Sequence, residues 1–226
     1  FPKHYQDRMT VIHDGISGMA KPASSNSGLT LKLKDGHQLN QGEPIVTFVN
    51  RSIEPYRGCH SLLRAIPKLQ KLHPEAQVVI VGSETGVSYG AQCPKGQWKE
   101  YFLREIEGKY DPSKVHFAGN LGYEDFLKVL QLSQAHVYLT YPFVLSWSLL
   151  EAMSTGCAIV GSHTAPVVEA IQDEHNGLLV DFFAPDKIAE QIDRLLRDRK
   201  LATKLGSQAR KDALEHYSIV KCLPRQ

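Results

Sequence analysis

The sequence predicts an α/β protein, a doubly wound parallel sheet of about six strands flanked by helices. Two observations carry this. Short runs that are apolar almost throughout recur between residues 44 and 180, and the segments between them place apolar residues at helical spacing. Strands that are apolar on both sides, rather than alternating, are covered on both faces, as in a parallel sheet with helices above and below. The chain has 226 residues and is 42% hydrophobic, enough for a substantial core in one large domain or two small ones.

Taken in order, a first short strand is expected over 10–13, ended by Asp14-Gly15. Residues 17–43 are rich in Ser, Gly, Lys and Asn and read as a loop. The regular alternation then starts. A buried strand over 44–50 carries Ile45, Val46, Phe48 and Val49, and a helix over 58–72 sets Leu62, Leu63, Ile66 and Leu69 on one face. A strand over 77–81 is followed by a Gly-rich loop to 96 and a weaker helix over 97–108. Strands over 115–118 and 135–140 bracket a helix over 123–132. A helix over 146–154 ends at Gly156, a fitting C-cap. A strand over 158–160, a helix over 165–172, a strand over 178–180 and two amphipathic helices complete the chain. Right-handed crossovers put all strand C-termini on one edge, where open α/β sheets bind ligands.

Composition excludes several function classes. A net charge of +2 with 22% charged residues gives no electrostatic case for nucleic acid or membrane as the main partner. Cys59, Cys93, Cys157 and Cys222 form no C-x-x-C pair and the histidines lack ligand spacing, so neither a zinc site nor a disulfide framework is expected. Reduced thiols suit a cytoplasmic protein. The start carries no signal peptide and no initiator Met, and it reads as an entry from the middle of a longer chain. There is no Walker A loop, no Ser-His-Asp signature and no G-x-G-x-x-G after a strand.

Two constellations lie in the edge loops. In the first, Arg51 and Arg57 bracket a strand-to-helix loop, with Arg57 just before a helix N-terminus that favours anions. Arginine's planar fork suits phosphate oxygens, while surface salt bridges to residues such as Glu54 are the plainer alternative. In the second, Ser146 is a fair N-cap, and Ser148 and Glu151 share a helix face beside Leu149, Leu150 and Met153. A carboxylate so close to apolar packing calls for a partner, and a ribose diol is a good one. By itself Glu151 also reads as an acid stabilised by the helix dipole. Asn120, after Gly119 at a strand end, reads by itself as a turn residue.

At these residues the chain resembles the family 4 retaining glycosyltransferases. The resemblance covers nearly the whole chain but only the C-terminal, donor-binding domain of the family. It rests on residues 11–16, on Arg51 with Arg57-Gly58, on residues 150–156 and on Asn176-Gly177-Leu178-Leu179-Val180. It implies a Rossmann-like fold that is one half of the two-domain GT-B architecture. Residues 1–226 are then a single nucleotide-sugar-binding domain whose partner is an N-terminal acceptor domain of the same full-length protein. It implies that Arg51, Arg57, Ser146 and Trp147 hold the donor diphosphate, that Glu151 binds the ribose, and that Asn120, Phe143 and Ser148 line the sugar or nucleotide pocket. No metal and no cofactor besides the nucleotide sugar is implied. Two departures stand out. Arg57 replaces the usual Lys, and Phe143 stands where the family's E-x7-E motif has its first Glu. The expected function is transfer of a sugar from a nucleoside diphosphate to an acceptor, with retention, the fragment alone being inactive. The alternative is a catalytically degenerate nucleotide- or sugar-binding module.

Overall fold

The computed structural model describes residues 2–18, 20–24, 27–141 and 144–226. Six strands form one parallel sheet: β3 (Ile45–Ser52), β4 (Gln77–Ser83), β5 (Val115–Gly119), β6 (Ala135–Tyr138), β7 (Ile159–Ser162) and β8 (Leu178–Val180). They follow a small antiparallel hairpin of β1 (Thr30–Lys32) and β2 (Gln38–Asn40). The large sheet runs β5-β4-β3-β6-β7-β8, all neighbours parallel. The chain winds outward from β3 in one direction, then returns to lay β6 on its other side. That reversal makes a crevice between the C-terminal ends of β3 and β6.

The helices are α1 (Lys3–Gln6), α2 (Cys59–Leu72), α3 (Trp98–Glu105), α4 (Tyr123–Leu132), α5 (Trp147–Thr155), α6 (Ala165–Val168), α7 (Pro185–Arg197), α8 (Arg199–His216) and α9 (Ile219–Cys222). Because side chains alternate along a strand, β3 and β4 feed two cores. Val46, Phe48, Val78 and Ile80 pack with α2 and α7 on one face. Ile45, Val49, Val79 and Val81 pack with α4 and α5 on the other, where α8 adds Ala209 and Ala213. The uniformly apolar strands are therefore covered on both sides, as their composition requires.

Three local expectations are corrected. Residues 10–13 form no strand. Val11 is 95% exposed, and Ile16, past the end of this segment, makes an isolated bridge to Ser218. A strand persists only where an adjacent strand accepts its backbone groups, and among the described residues none lies beside 10–13. The loop over 17–43 contains the β1–β2 hairpin, whose Leu31, Leu33 and Leu39 are buried in the α4 and α5 core. The helix over 165–172 stops at Val168. The Asn176 side chain ties this region, its Oδ1 accepting the Gln172 N–H at 2.7 Å and its Nδ2 donating to the Ala170 carbonyl at 3.0 Å. Among the described residues, no helix is long and apolar enough to cross a membrane.

Candidate functional site

The loops after β3, β4, β5 and β6 converge at the C-terminal edge of the sheet. After β3 the chain makes a 3-10 turn over Pro55–Arg57 and enters α2 through Gly58. Gly58 has φ +73°, and a Cβ there would overlap the Leu139 Cβ. Only glycine accepts both the left-handed backbone and the contact. This places Arg57 in a buried position at the crevice, where its Nη1 donates to Thr140 Oγ1 at 3.2 Å and to the Val144 carbonyl at 3.3 Å. The guanidinium also lies 5.2 Å from the centre of the Tyr89 ring, within cation–π range. The arginine thus spans the ends of β3 and β6, the two strands that flank the switch in winding direction.

Ser146 caps α5 as expected. Its Oγ accepts the Ser148 N–H at 3.2 Å and is hydrogen-bonded to the Ser148 hydroxyl at 2.8 Å. The Ser146 N–H donates to the Tyr138 hydroxyl at 2.9 Å. Burial pushes the Tyr138 phenol above its ordinary pKa, with the Ser146 N–H and nearby Arg57 pulling the other way. Ser146 and Ser148 therefore spend their N–H groups inside the protein, and the Trp147 N–H is the first helical donor not committed to a described residue. The Trp147 side chain is exposed. Phe143 lies outside the described residues.

Glu151 sits half-buried one turn into α5, with the Tyr123 hydroxyl of α4 beside its carboxyl. Burial raises the Glu151 carboxyl pKa, and the nearby Tyr123 hydroxyl partly offsets it. Tyr123 in turn is pushed up to about 12 by burial and by the adjacent carboxylate. The polar group that stands beside the carboxyl is thus a tyrosine at the start of the preceding helix.

Arg51 and Asn120 come together at the other side of the crevice. With Ser52, Ser83, Val87 and Ser88 they line a polar cleft of about 580 Å³. Arg51 is exposed, with no ion pair among the described residues. Glu54 is instead fully buried, its Oε2 accepting the N–H groups of Ser88 at 2.8 Å and Tyr89 at 2.9 Å. Ser52 Oγ meets Ser88 Oγ at 2.7 Å, and Gly90 closes against the Tyr56 ring. The loop after β4 is strapped over the end of β3 by these contacts. The sequence reading missed Glu54, Ser88 and Tyr89 in this role. The one signal available was Ser88-Tyr89-Gly90, a bulky aromatic before a glycine within the Gly-rich loop.

Comparison with known proteins bears on this geometry. Residues 31–212 match the family described as glycosyl transferases group 1. An uncharacterized glycosyltransferase of Methanocaldococcus jannaschii is 26% identical over 213 residues, covering 94% of this chain and 51% of that protein. The chain spans about half the length of the curated relatives it matches. Among solved structures, the C-terminal domain of a glycosyl transferase group 1 family protein (LpcC) from Francisella tularensis aligns with TM-score 0.74 at 19% identity, over 91% of this chain and all of that one. The HepE protein of Anabaena, solved with UDP-glucose, aligns with TM-score 0.74 at 17% identity, over 96% of this chain and 55% of that one. At these identities the structures speak for the fold alone, and the fold is the Rossmann-like one expected of a C-terminal GT-B domain. The family match extends over most of the residues, and the chain belongs to the glycosyl transferases group 1 family.

Proposed function

We propose that this chain is the donor-binding domain of a glycosyltransferase. It takes a nucleoside diphosphate sugar and presents it to an acceptor held by an N-terminal domain of the same full-length protein. The placement of Arg57 carries the reading: a buried guanidinium at the β3–β6 crevice, braced by Thr140 and Val144 beside the first turn of α5. The HepE structure of the same fold, solved with UDP-glucose, supports a nucleotide-sugar ligand.

On this reading the leaving group is the nucleoside diphosphate, and negative charge grows on its phosphate oxygens as the glycosidic bond breaks. Arg57, Arg51 and the Trp147 N–H supply fixed positive ends where that charge develops, so stabilisation needs no reorganisation. The arginines carry this work rather than a metal. Glu151 accepts hydrogen bonds from the ribose hydroxyls, with Tyr123 holding its carboxylate in place. Asn120 and the serines of the 580 Å³ cleft contact the remainder of the nucleotide. Transfer proceeds with retention on the family likeness, and this domain alone turns over no sugar.

The test is calorimetric titration with UDP, GDP, ADP and TDP and with the parent nucleosides, on the wild type and on Arg57→Ala. At least one diphosphate binds the wild type. The substitution weakens that binding about ten- to hundredfold, the worth of charge-assisted phosphate hydrogen bonds, and leaves nucleoside binding unchanged. Arg57→Lys, which keeps the charge but not the fork, falls between. Absence of diphosphate binding, or equal loss for nucleoside and diphosphate, refutes the reading.

A further inference from the structure

A second recess, of about 390 Å³, opens on the same edge over the ends of β6, β7 and β8, away from the β3–β6 crevice. Three aromatic rings form one connected wall. Tyr141 lies 5.4 Å from Phe182 and 5.0 Å from Phe183, centre to centre, and Phe182 lies 4.9 Å from Phe183. Phe182 is 3% exposed and belongs to the core, whereas Phe183 is 61% and Tyr141 44% exposed. Two carboxylates line the recess with them. Asp181 Oδ1 accepts the Phe183 N–H at 2.7 Å, and Asp173 Oδ1 accepts the Leu179 N–H at 2.8 Å. Each carboxylate is thereby oriented by one oxygen, while the other makes no hydrogen bond among the described residues. His163 adds an imidazole at the rim.

We propose that this recess is a saccharide subsite separate from the diphosphate crevice, taking an uncharged pyranose ring. The face of a pyranose presents C–H groups made slightly positive by neighbouring oxygens, and an aromatic face is negative. Its hydroxyls donate, and the free oxygen of an ionised carboxylate only accepts. Aromatic rings beside oriented carboxylates therefore match a sugar on both counts. The same two carboxylates repel phosphate, which keeps a nucleoside diphosphate on the arginine side. The two places are neighbours nonetheless. Thr140, which braces Arg57, precedes Tyr141, and the Tyr141 N–H donates to the Tyr56 carbonyl at 3.0 Å. A sugar stacked here lies beside the diphosphate crevice without entering it. The assignment does not rest on the donor reading.

Saturation-transfer NMR tests it with methyl α-glucopyranoside, methyl α-mannopyranoside and methyl N-acetyl-α-glucosaminide at millimolar concentration. At least one glycoside receives saturation on its ring protons from the wild type. Phe183→Ala and Tyr141→Ala each weaken that binding by about tenfold, while Tyr5→Ala, an exposed aromatic elsewhere, leaves it unchanged. Because Phe183 is mostly exposed, its variant keeps the wild-type melting temperature and the wild-type affinity for nucleoside diphosphate. The proposal is overturned if no glycoside binds, or if binding survives both aromatic substitutions. It is also overturned if UDP-glucose displaces the glycoside where UDP does not, since the recess would then hold the donor's own sugar. A dimer that Phe183→Ala dissolves, with no glycoside signal, makes the wall a contact between copies and likewise overturns it. Loss of the glycoside with diphosphate binding intact refutes this inference alone. Loss of diphosphate binding with the glycoside intact refutes only the donor reading.

Discussion

Replacing Gly58 with alanine probes how the fold delivers Arg57 to the crevice. Gly58 has φ +73°, and an added Cβ would overlap the Leu139 Cβ and lie 3.0 Å from both Leu139 Cδ1 and Phe182 Cε2. Leu139 and Phe182 are buried, so neither can swing out of the way. The left-handed backbone costs alanine about 1–2 kcal/mol, and forcing a methyl into a filled core adds about 1–3 kcal/mol. Alanine's stiffer unfolded chain returns about 0.4–1 kcal/mol. The expected net loss is roughly 3 kcal/mol. Gly86 supplies the control, because it has φ +72° and nothing within 4 Å of its would-be Cβ. Gly86→Ala carries the same backbone and unfolded-state effects without the overlap, so it costs about 1 kcal/mol. Equilibrium unfolding in urea at matched m-values measures both. A difference near 2 kcal/mol between the variants is the overlap itself. Equal costs would refute the claim that close packing of Gly58 on Leu139 sets the path of the Arg57 turn.

Two further outcomes follow from the titrating groups. Burial raises the folded-state pKa of Glu151 above 4.5, so its contribution to stability is full below that value and is lost as pH rises through the folded pKa. Glu151→Gln should therefore raise the melting temperature at neutral pH and match the wild type in acid. It should also abolish the difference between ribose and 2′-deoxyribose nucleotides, whereas additive losses from the variant and the deoxy sugar, or a lower melting temperature at neutral pH, would argue for a dipole-stabilising role instead. His136 and His60 are both held down to about 4 from 6.5, chiefly by burial. The unfolded chain takes up protons that the folded chain refuses, so stability should fall as pH drops from 6.5 toward 4. His136→Gln should flatten that decline in a thermal unfolding series, and an unchanged slope would show that the buried imidazole is not its source.

Much of the architecture was legible because it is written in local patterns. Uniformly apolar runs such as Val78-Val79-Ile80-Val81 specify strands buried on both faces, and the spacing of Leu62, Leu63, Ile66 and Leu69 specifies a helix with one inward face. The cap at Ser146 and the left-handed Gly156 are also local, and both are found where the residues indicate. Arg51, Arg57, Asn120, Ser146 and Glu151 were legible as candidates because strand-end loops of a parallel sheet share one edge whatever the details of packing.

Other features depend on residues far apart in the chain, and only the assembled fold decides them. Residues 10–13 have strand-forming side chains but gain no adjacent strand among the described residues, and the β1–β2 hairpin forms because Leu31, Leu33 and Leu39 find the core that α4 and α5 build a hundred residues on. The Tyr123 hydroxyl comes near Glu151 because α4 and α5 lie side by side, which neither helix encodes alone. Glu54 looks like a surface acid until the loop after β4 folds back and offers it two backbone N–H groups. The aromatic wall of Tyr141, Phe182 and Phe183 joins the loops after β6 and β8, strands that are neighbours of β7 rather than of each other. Periodicity reports which side of an element turns inward. What that side meets is set by strand order and by where each loop returns, and those follow from the whole chain minimising exposed apolar surface and unpaired backbone at once.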